Sequence, residues 1–280
     1  MVEPVSIAII TDFGTRDGYV GAMKGVLQSL SPQATLLDIT HEIAPRDVGA
    51  AAYTLGRCYR YFPPDTIFLV VVDPGVGTQR KPLAIQAGAH RFVAPDNGVL
   101  TKAIQDQPKW EAVCLTQRQY WREEVSHTFH GRDIFAPVAA HWANGTPLHR
   151  FGERVADLVM LTEDGPRWER ELPGFSGRVT QVDQFGNLIT NIGPFVRVGS
   201  SLQWQDDAGQ TQVCAANAFI IEMAGLTLRG VQSTYADAAK GEVLALLDSA
   251  GQLEIAVHRG NAAEACGLSR GAKIHMRIST

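Results

Sequence analysis

Cysteine is scarce in this chain of 280 residues: Cys58, Cys114, Cys214 and Cys266 are scattered singly, with no C-x-x-C pair. That spacing argues against a disulfide framework or a zinc ribbon and suits reduced thiols. Long apolar runs are missing too, and none approaches the roughly 20 residues that cross a bilayer. The opening MVEPVSIAII has no basic stretch and no small-residue cleavage site, so no secretory leader is expected and the cytoplasm is the expected compartment. A net charge of −4 offers no basic surplus, so neither nucleic acid nor an anionic membrane is an expected partner. No G-x-G-x-x-G or GK[ST] motif is present to cradle a phosphate. There is no internal repeat and no low-complexity tract. What remains is 45% hydrophobic and 19% charged, an ordinary globular composition with chain enough for two domains.

The first half alternates strand and helix. SIAIITDF reads as an apolar strand ending on Asp12, followed by a helix in DGYVGAMKGVLQSLSP with Val20, Met23, Val26, Leu27 and Leu30 on one face. ATLLDIT is a second strand, PRDVGAAAYTLGRCYRYFP a second helix stopped by Pro63 and Pro64, and TIFLVVVD a third strand, apolar until Asp73. KPLAIQAG and HRFVAPDNG suggest a hairpin, with GVLTKAI a helix, EAVCLT a strand and GRDIFAPVAAHWANG a further helix. Continuous apolar strands between helices predict an α/β domain over residues 1–155, its mostly parallel sheet covered on both faces. Ligands of such sheets sit beyond the carboxyl ends of the strands, where Asp12 and Asp73 fall. Residues 156–174, containing DGPRWERELPG, read as a linker. Over 175–280 the short segments FSGRVTQVD, NLITNI, SLQWQ, TQVCAA, EVLALLDS, QLEIAVH and AKIHMRI predict an antiparallel, barrel-like β domain.

Several residues invite chemistry, each beside a plainer role. Asp12 suits a ribose diol, since one carboxylate accepts from two hydroxyls, but also suits a helix cap. Asp17 fits a cap or a first-turn charge. Asp73, with Arg80 seven residues on, is either a strand-end salt bridge or a partly buried carboxylate kept ionised by its partner. In SHTFHGRDIFAP, His127 and His130 have a weak metal spacing that Arg132 disfavours, and Asp133 and Arg132 fit structural work. His130 beside a glycine also fits an acid, base or orienting group. VDQFGNLITNI is a hairpin turn, or a site in which Phe185 stacks on a base and Asn187 pairs with its polar edge. Ser249 and the run Gly260, Asn261, Ala262 stand in turns whose small residues let backbone approach a flat ligand.

Taken in order, TDFG with DGYVGAMKG, VVDPGVGT followed by Arg80, FHGRDIFAP, VDQFGNLITNI and GNAA resemble the S-adenosylmethionine (SAM) hydroxide adenosyltransferase family, the SAM hydrolases. These are relatives of the fluorinases and chlorinases. The resemblance runs from about residue 6 to residue 278. It implies an α/β domain before a β-barrel domain, a homotrimer with inter-subunit active sites, and a hydrolytic Asp–Arg–His triad at Asp73, Arg80 and His130. It further implies ribose binding at Asp12, methionine-end binding at Asp183, and adenine recognition by Phe185, Asn187, Ser249 and the backbone near Ala262, with Asn261 also among the substrate-binding residues and Tyr235 as a further aromatic wall. The fluorinases carry tyrosine where this chain has Asp73, threonine where it has Val76 and serine where it has Gly131, and a loop that halogenases insert has no counterpart before KPLAIQAG.

The resemblance therefore implies hydrolysis of SAM to adenosine and L-methionine by in-line attack of water or hydroxide at ribose C5′. No metal and no cofactor beyond the substrate is expected. Asp73 and His130 would hold the water, with Arg80 fixing Asp73. Rival readings are a halogenase, a metal-dependent hydrolase using Asp12, Asp73, His127, His130 and Asp133, and a non-catalytic SAM or adenosine sensor.

Overall fold

The computed structural model describes residues 4–105, 107–162, 167–169, 174–206 and 208–279. The chain divides into two compact units, Met1–Thr162 and Glu163–Thr280. Of the segment expected to be a linker, residues 163–166 and 170–173 lie outside the described residues.

The first unit is built on a seven-stranded sheet: β1 Ser6–Thr11, β2 Thr35–Thr40, β3 Ile67–Val71, β4 Pro82–Ala87, β5 His90–Pro95, β6 Trp110–Leu115 and β7 Gly152–Val155. Its order is β2-β1-β3-β5-β4-β6-β7. Strands β2, β1, β3 and β5 pair in parallel, and β6, two antiparallel steps from β5, runs the same way. Only β4 and β7 are reversed, so the expectation of a mostly parallel sheet holds. The strands read as unbroken apolar runs because each face has its own cover. Ile67, Leu69 and Val71 pack with Met23 and Leu27 of helix α1 (Tyr19–Leu30) and with helix α4 (Ala136–Ala143). The alternate residues Phe68, Val70 and Val72 pack with Ala51 and Leu55 of helix α2 (Val48–Cys58) and with helix α3 (Thr101–Ile104). Burying each such aliphatic side chain contributes about 1.5–3 kcal/mol.

This covering fixes where a ligand belongs. The chain leaves β1 through α1 on one face to reach β2, then returns through α2 on the other face to β3, on the opposite side of β1. The gap between the carboxyl ends of β1 and β3 is therefore the point where the winding reverses, the position at which open α/β sheets bind ligands. Thr11 is in register with Val71, which brings Asp12 and Asp73, offset by one residue, to that same end of the sheet.

The second unit is antiparallel. Its strands are β8 Arg167–Glu169, β9 Gly174–Val182, β10 Leu188–Thr190, β11 Val196–Val198, β12 Ser201–Gln205, β13 Thr211–Ala215, β14 Phe219–Met223, β15 Leu226–Arg229, β16 Val243–Leu247, β17 Leu253–Val257 and β18 Lys273–Ile278. One eight-stranded sheet runs β15-β14-β18-β9-β10-β17-β16, with β8 also on β9, and β11-β12-β13 form a smaller sheet. Gln232, just past β15, pairs with Leu246 of β16, so the large sheet nearly closes on itself. Phe175, Phe195, Trp204 and Phe219 meet edge to face inside it. Gly260, Asn261 and Ala262 do not form a simple turn: Asn261 caps helix α5 (Ala262–Cys266) by accepting from the Glu264 amide.

Candidate active site

Asp73, Arg80 and His130 come together in the first unit. Asp73 follows the last buried residue of the β3 run, and the turn after it bends back so that Arg80 faces it. Arg80 Nε lies 3.0 Å from both Asp73 carboxylate oxygens, and Nη2 makes a further short bond to Oδ2. Both side chains are less than one tenth exposed. The same Nη2 lies 2.7 Å from His130 Nδ1. The guanidinium also covers the Phe135 ring, 5.1 Å from its centre.

The turn and the histidine loop are seated by a glycine. Gly77 has φ +76°, and a Cβ there would come within 2.5 Å of the His127 carbonyl, so no other residue lets the two segments close. Behind them Asp133 is fully buried. It accepts from Arg132 Nε and Nη2 and from the Ser126 amide, with Arg122 at 3.5 Å. Burial raises the pKa of Asp133, but these hydrogen bonds and charges outweigh burial and hold it below the usual carboxylate value. Asp133 thus ties residues 122–133 into one block, and Gly131–Phe135 form a wide π-type turn before α4 rather than the start of a regular helix.

The Arg80 contact dictates the state of His130. A guanidinium only donates, so Nδ1 is an acceptor and the neutral ring carries its proton on Nε2. Burial first, and the Arg80 charge second, push the His130 pKa below the ordinary 6.5. His130 is consequently neutral near pH 7 and presents an N–H donor.

Asp12 is half-buried, and its Oδ2 accepts from the Arg46 amide at 2.7 Å. It does not cap α1, and neither does Asp17: the capping position is Gly18, without a side-chain bond. Sequence reasoning missed the support beneath Asp12. His41, buried at the end of β2, places Nδ1 2.9 Å from Thr11 Oγ1, and its backbone carbonyl accepts from Gly14. His41 Nε2 lies 3.0 Å from Asp38, off the hydrogen-bonding axis, and Asp38 pairs with Lys24. The available signal was a polar residue directly after a strand adjacent to β1.

The remaining candidates lie in the second unit. Asp183 Oδ1 accepts from the amides of Phe185 and Asn187, and Oδ2 accepts from Asn187 Nδ2 at 3.0 Å. The Asn187 amide nitrogen is thus engaged within its own turn. Phe185 is 67% exposed, leaving its ring free to stack. Gly186, at φ +82°, lies against the Asn261 side chain, and its carbonyl accepts from Ala263, joining this turn to the start of α5. Tyr235 donates to Glu254 at 2.7 Å. Burial, this bond and the charges of Glu254, Asp183 and Asp248 raise the phenol pKa. Glu254, a carboxylate 3% exposed within an otherwise apolar strand, was also missed, although a lone glutamate in LEIAV was a readable signal. Ser249 is not brought to the Asn261–Ala262 end: it precedes β17 while they follow it. It lines a cavity of about 490 Å³ with Arg197 and Gln232. Among the described residues no three His, Cys, Asp or Glu side chains are grouped to hold a metal, and no helix is long and apolar enough to cross a membrane.

A doubly wound sheet with a prearranged carboxylate–guanidinium–imidazole cluster at its reversal point, in one chain with an antiparallel unit, defines a two-domain protein with a polar site in its α/β part. Models of the SAM hydroxide adenosyltransferase N-terminal and C-terminal domains match residues 7–152 and 177–275, and the chain belongs to that family. It is 36% identical over 277 residues to the (R)-S-adenosyl-L-methionine hydrolase of Salinispora tropica, covering 96% of this chain and 97% of that one. Similarity extends to the fluorinase of Nocardia brasiliensis, 28% identical over 305 residues, 97% of this chain and 96% of the relative. The crystal structure of an uncharacterized conserved protein from Thermotoga maritima matches with a TM-score of 0.84 at 37% identity, covering 97% and 99% of the two chains.

Proposed function

We propose that this protein hydrolyses SAM to adenosine and L-methionine, with water or hydroxide attacking ribose C5′ in line with the C5′–S bond. As the C–O bond forms, the C–S electrons pass to sulfur, the sulfonium leaves as a neutral thioether, and the proton lost by the nucleophile goes to solvent. The leaving group needs no acid, so the protein's task is placement and electrostatics. Holding reactants in line is worth about 7–11 kcal/mol at best. The observation that carries the reading is the Asp73–Arg80–His130 cluster at the carboxyl end of β3. A carboxylate there repels a halide, which argues against the halogenase chemistry of the fluorinase relatives, while carboxylate and imidazole N–H together orient an oxygen nucleophile.

In this reading His130 is an orienting donor and not the base, because Nδ1 is committed to Arg80 and Nε2 already holds its proton. An N–H donor favours hydroxide over water in the nucleophile position. Asp12, its Oδ2 held by the Arg46 amide, takes the ribose hydroxyls. Asp183 binds the methionine end, Phe185 stacks on adenine, Asn187, Asn261 and the Ala262 backbone border its edge, Tyr235 forms a wall, and Ser249 contacts substrate from its cavity. The reading includes a homotrimer and a cytoplasmic enzyme that uses no metal: Asp73 and Asp133, two of the carboxylates a metal would need, are already neutralised by arginines.

The test is product analysis by mass spectrometry after incubation with SAM, with and without chelator and with and without chloride. Adenosine and methionine in all four conditions support the reading. A 5′-chloronucleoside, chelator-sensitive turnover or SAM returned intact each contradict it. Light scattering checks the trimer, and a monomer contradicts that part.

A further inference from the structure

Three aromatic rings stand at the same rim and take no part in the chemistry above. Phe13 directly follows Asp12, Phe129 directly precedes His130, and Tyr19 opens α1. Their ring centres are 5.8 Å apart for Phe13 and Phe129, 5.9 Å for Phe13 and Tyr19, and 5.3 Å for Tyr19 and Phe129, all tilted or edge to face. Their place is determined by the residues around them. Phe129 lies against the Gly131 backbone, where a Cβ would meet Val71, the Met23 sulfur and the Phe129 ring between 3.1 and 3.5 Å. Met23 is one helical turn after Tyr19 on α1, so both side chains share the face turned to Phe129. The Arg132 guanidinium already covers Phe129, 5.0 Å from its centre. Tyr19 is different: it is 51% exposed, although its ring is packed on two others. Packing alone does not require an aromatic ring held half in solvent, while a cationic ligand does make use of one.

We propose that Tyr19, backed by Phe13 and Phe129, recognises the sulfonium charge of SAM by a cation–π contact and so sets the preference for sulfonium over thioether. The proposal rests on the hydrolase reading for the identity of the ligand. In chemical terms, the positive sulfur is attracted to the electron-rich ring face. The thioether formed when SAM loses its methyl group has the same shape nearby but no charge to be attracted. The same discrimination favours product release, since methionine leaves as a neutral thioether. Tyr19 is a specificity and positioning residue in this account, touching the sulfonium without exchanging protons with it.

The test compares dissociation constants for SAM, S-adenosylhomocysteine and adenosine, by calorimetry, in the wild type, Tyr19→Phe and Tyr19→Leu. Thermal melting confirms that each variant is folded, as expected for a residue half in solvent. Tyr19→Leu is expected to weaken SAM about tenfold while leaving the thioether and adenosine within about twofold, and Tyr19→Phe, which keeps the ring, is expected to retain the wild-type preference. Equal weakening of all three ligands, or no change in any, would overturn the proposal and leave the trio as packing. Loss of the preference in Tyr19→Phe would also overturn it, since the phenol and not the ring would then be responsible. If the wild type binds none of the three ligands, it is the hydrolase reading that fails, and that outcome is separate from the others.

Discussion

The two units present their polar residues in opposite ways. In the first, Asp73, Arg80 and His130 are drawn below the surface and spend their hydrogen bonds on one another. In the second, Asp183 and Asn187 build a turn whose product is an exposed ring, Phe185, and Tyr235 is anchored at its hydroxyl with much of its ring in solvent. Under the proposed function, side chains that hold a reacting atom in one place are fixed by charge, and those that recognise a flat or flexible ligand keep an apolar surface open on a rigid base. On this view changes in the first unit act on turnover and changes in the second act on affinity.

The largest effect should come from Asp73→Ala. It is expected to lower kcat by at least about 10²-fold, the scale for losing the placement of a reactant, while the SAM dissociation constant moves little. Comparable loss of binding would erase the division between the units. Removing the partner instead leaves a buried charge uncompensated: Arg80→Met should cost about 3–5 kcal/mol of stability in urea unfolding monitored on the first unit. An unchanged midpoint would show that the pair is solvated in practice. Phe185→Ala should act on the other side of the comparison, raising KM by roughly tenfold, as expected for about 1–3 kcal/mol of base stacking, with kcat retained. The acid limb of the rate profile sharpens the role of His130. Its pKa lies below 6.5 in the folded protein, so the neutral form and the Arg80 contact persist as pH falls to 6.5 and are lost only below it. Both kcat/KM and the His130 contribution to stability should therefore decline below pH 6.5, and a limb centred above that value contradicts the Nδ1 assignment. The smallest effect belongs to Lys24→Ala, which breaks an exposed pair with Asp38 and should change stability by less than about 1 kcal/mol.

Much of the first unit was legible because its strands are buried on both faces and read as unbroken apolar runs ending on carboxylates. Asp12 and Asp73 stood out for that reason. The register of Thr11 with Val71, which brings both to the same end of adjacent strands, is a tertiary fact that no local pattern carries. His130 was ambiguous alone, since its role depends on a contact with Arg80 fifty residues away in sequence. The second unit was read strand by strand where polar turns separate alternating segments. β14 and β15 escaped because Ala224 and Gly225, both at positive φ, make a tight turn inside a mostly apolar stretch with no run of turn-forming residues. β7 escaped because four residues of mixed polarity give no period, and only pairing with β6 makes them a strand. Ser249 and the Asn261–Ala262 run were read in separate turns, and only the strand pairing shows that β17 carries the chain from one end of the sheet to the other between them.

The most direct test of the central claim is to run the reaction in oxygen-18 water and locate the label. Adenosine is expected to carry the heavy atom at its 5′ oxygen, methionine to lack it, and the Asp73→Ala protein to lose labelled product. Label absent from the 5′ oxygen, or full labelling by the Asp73→Ala protein, would contradict attack at C5′ by a nucleophile that Asp73, Arg80 and His130 hold in place.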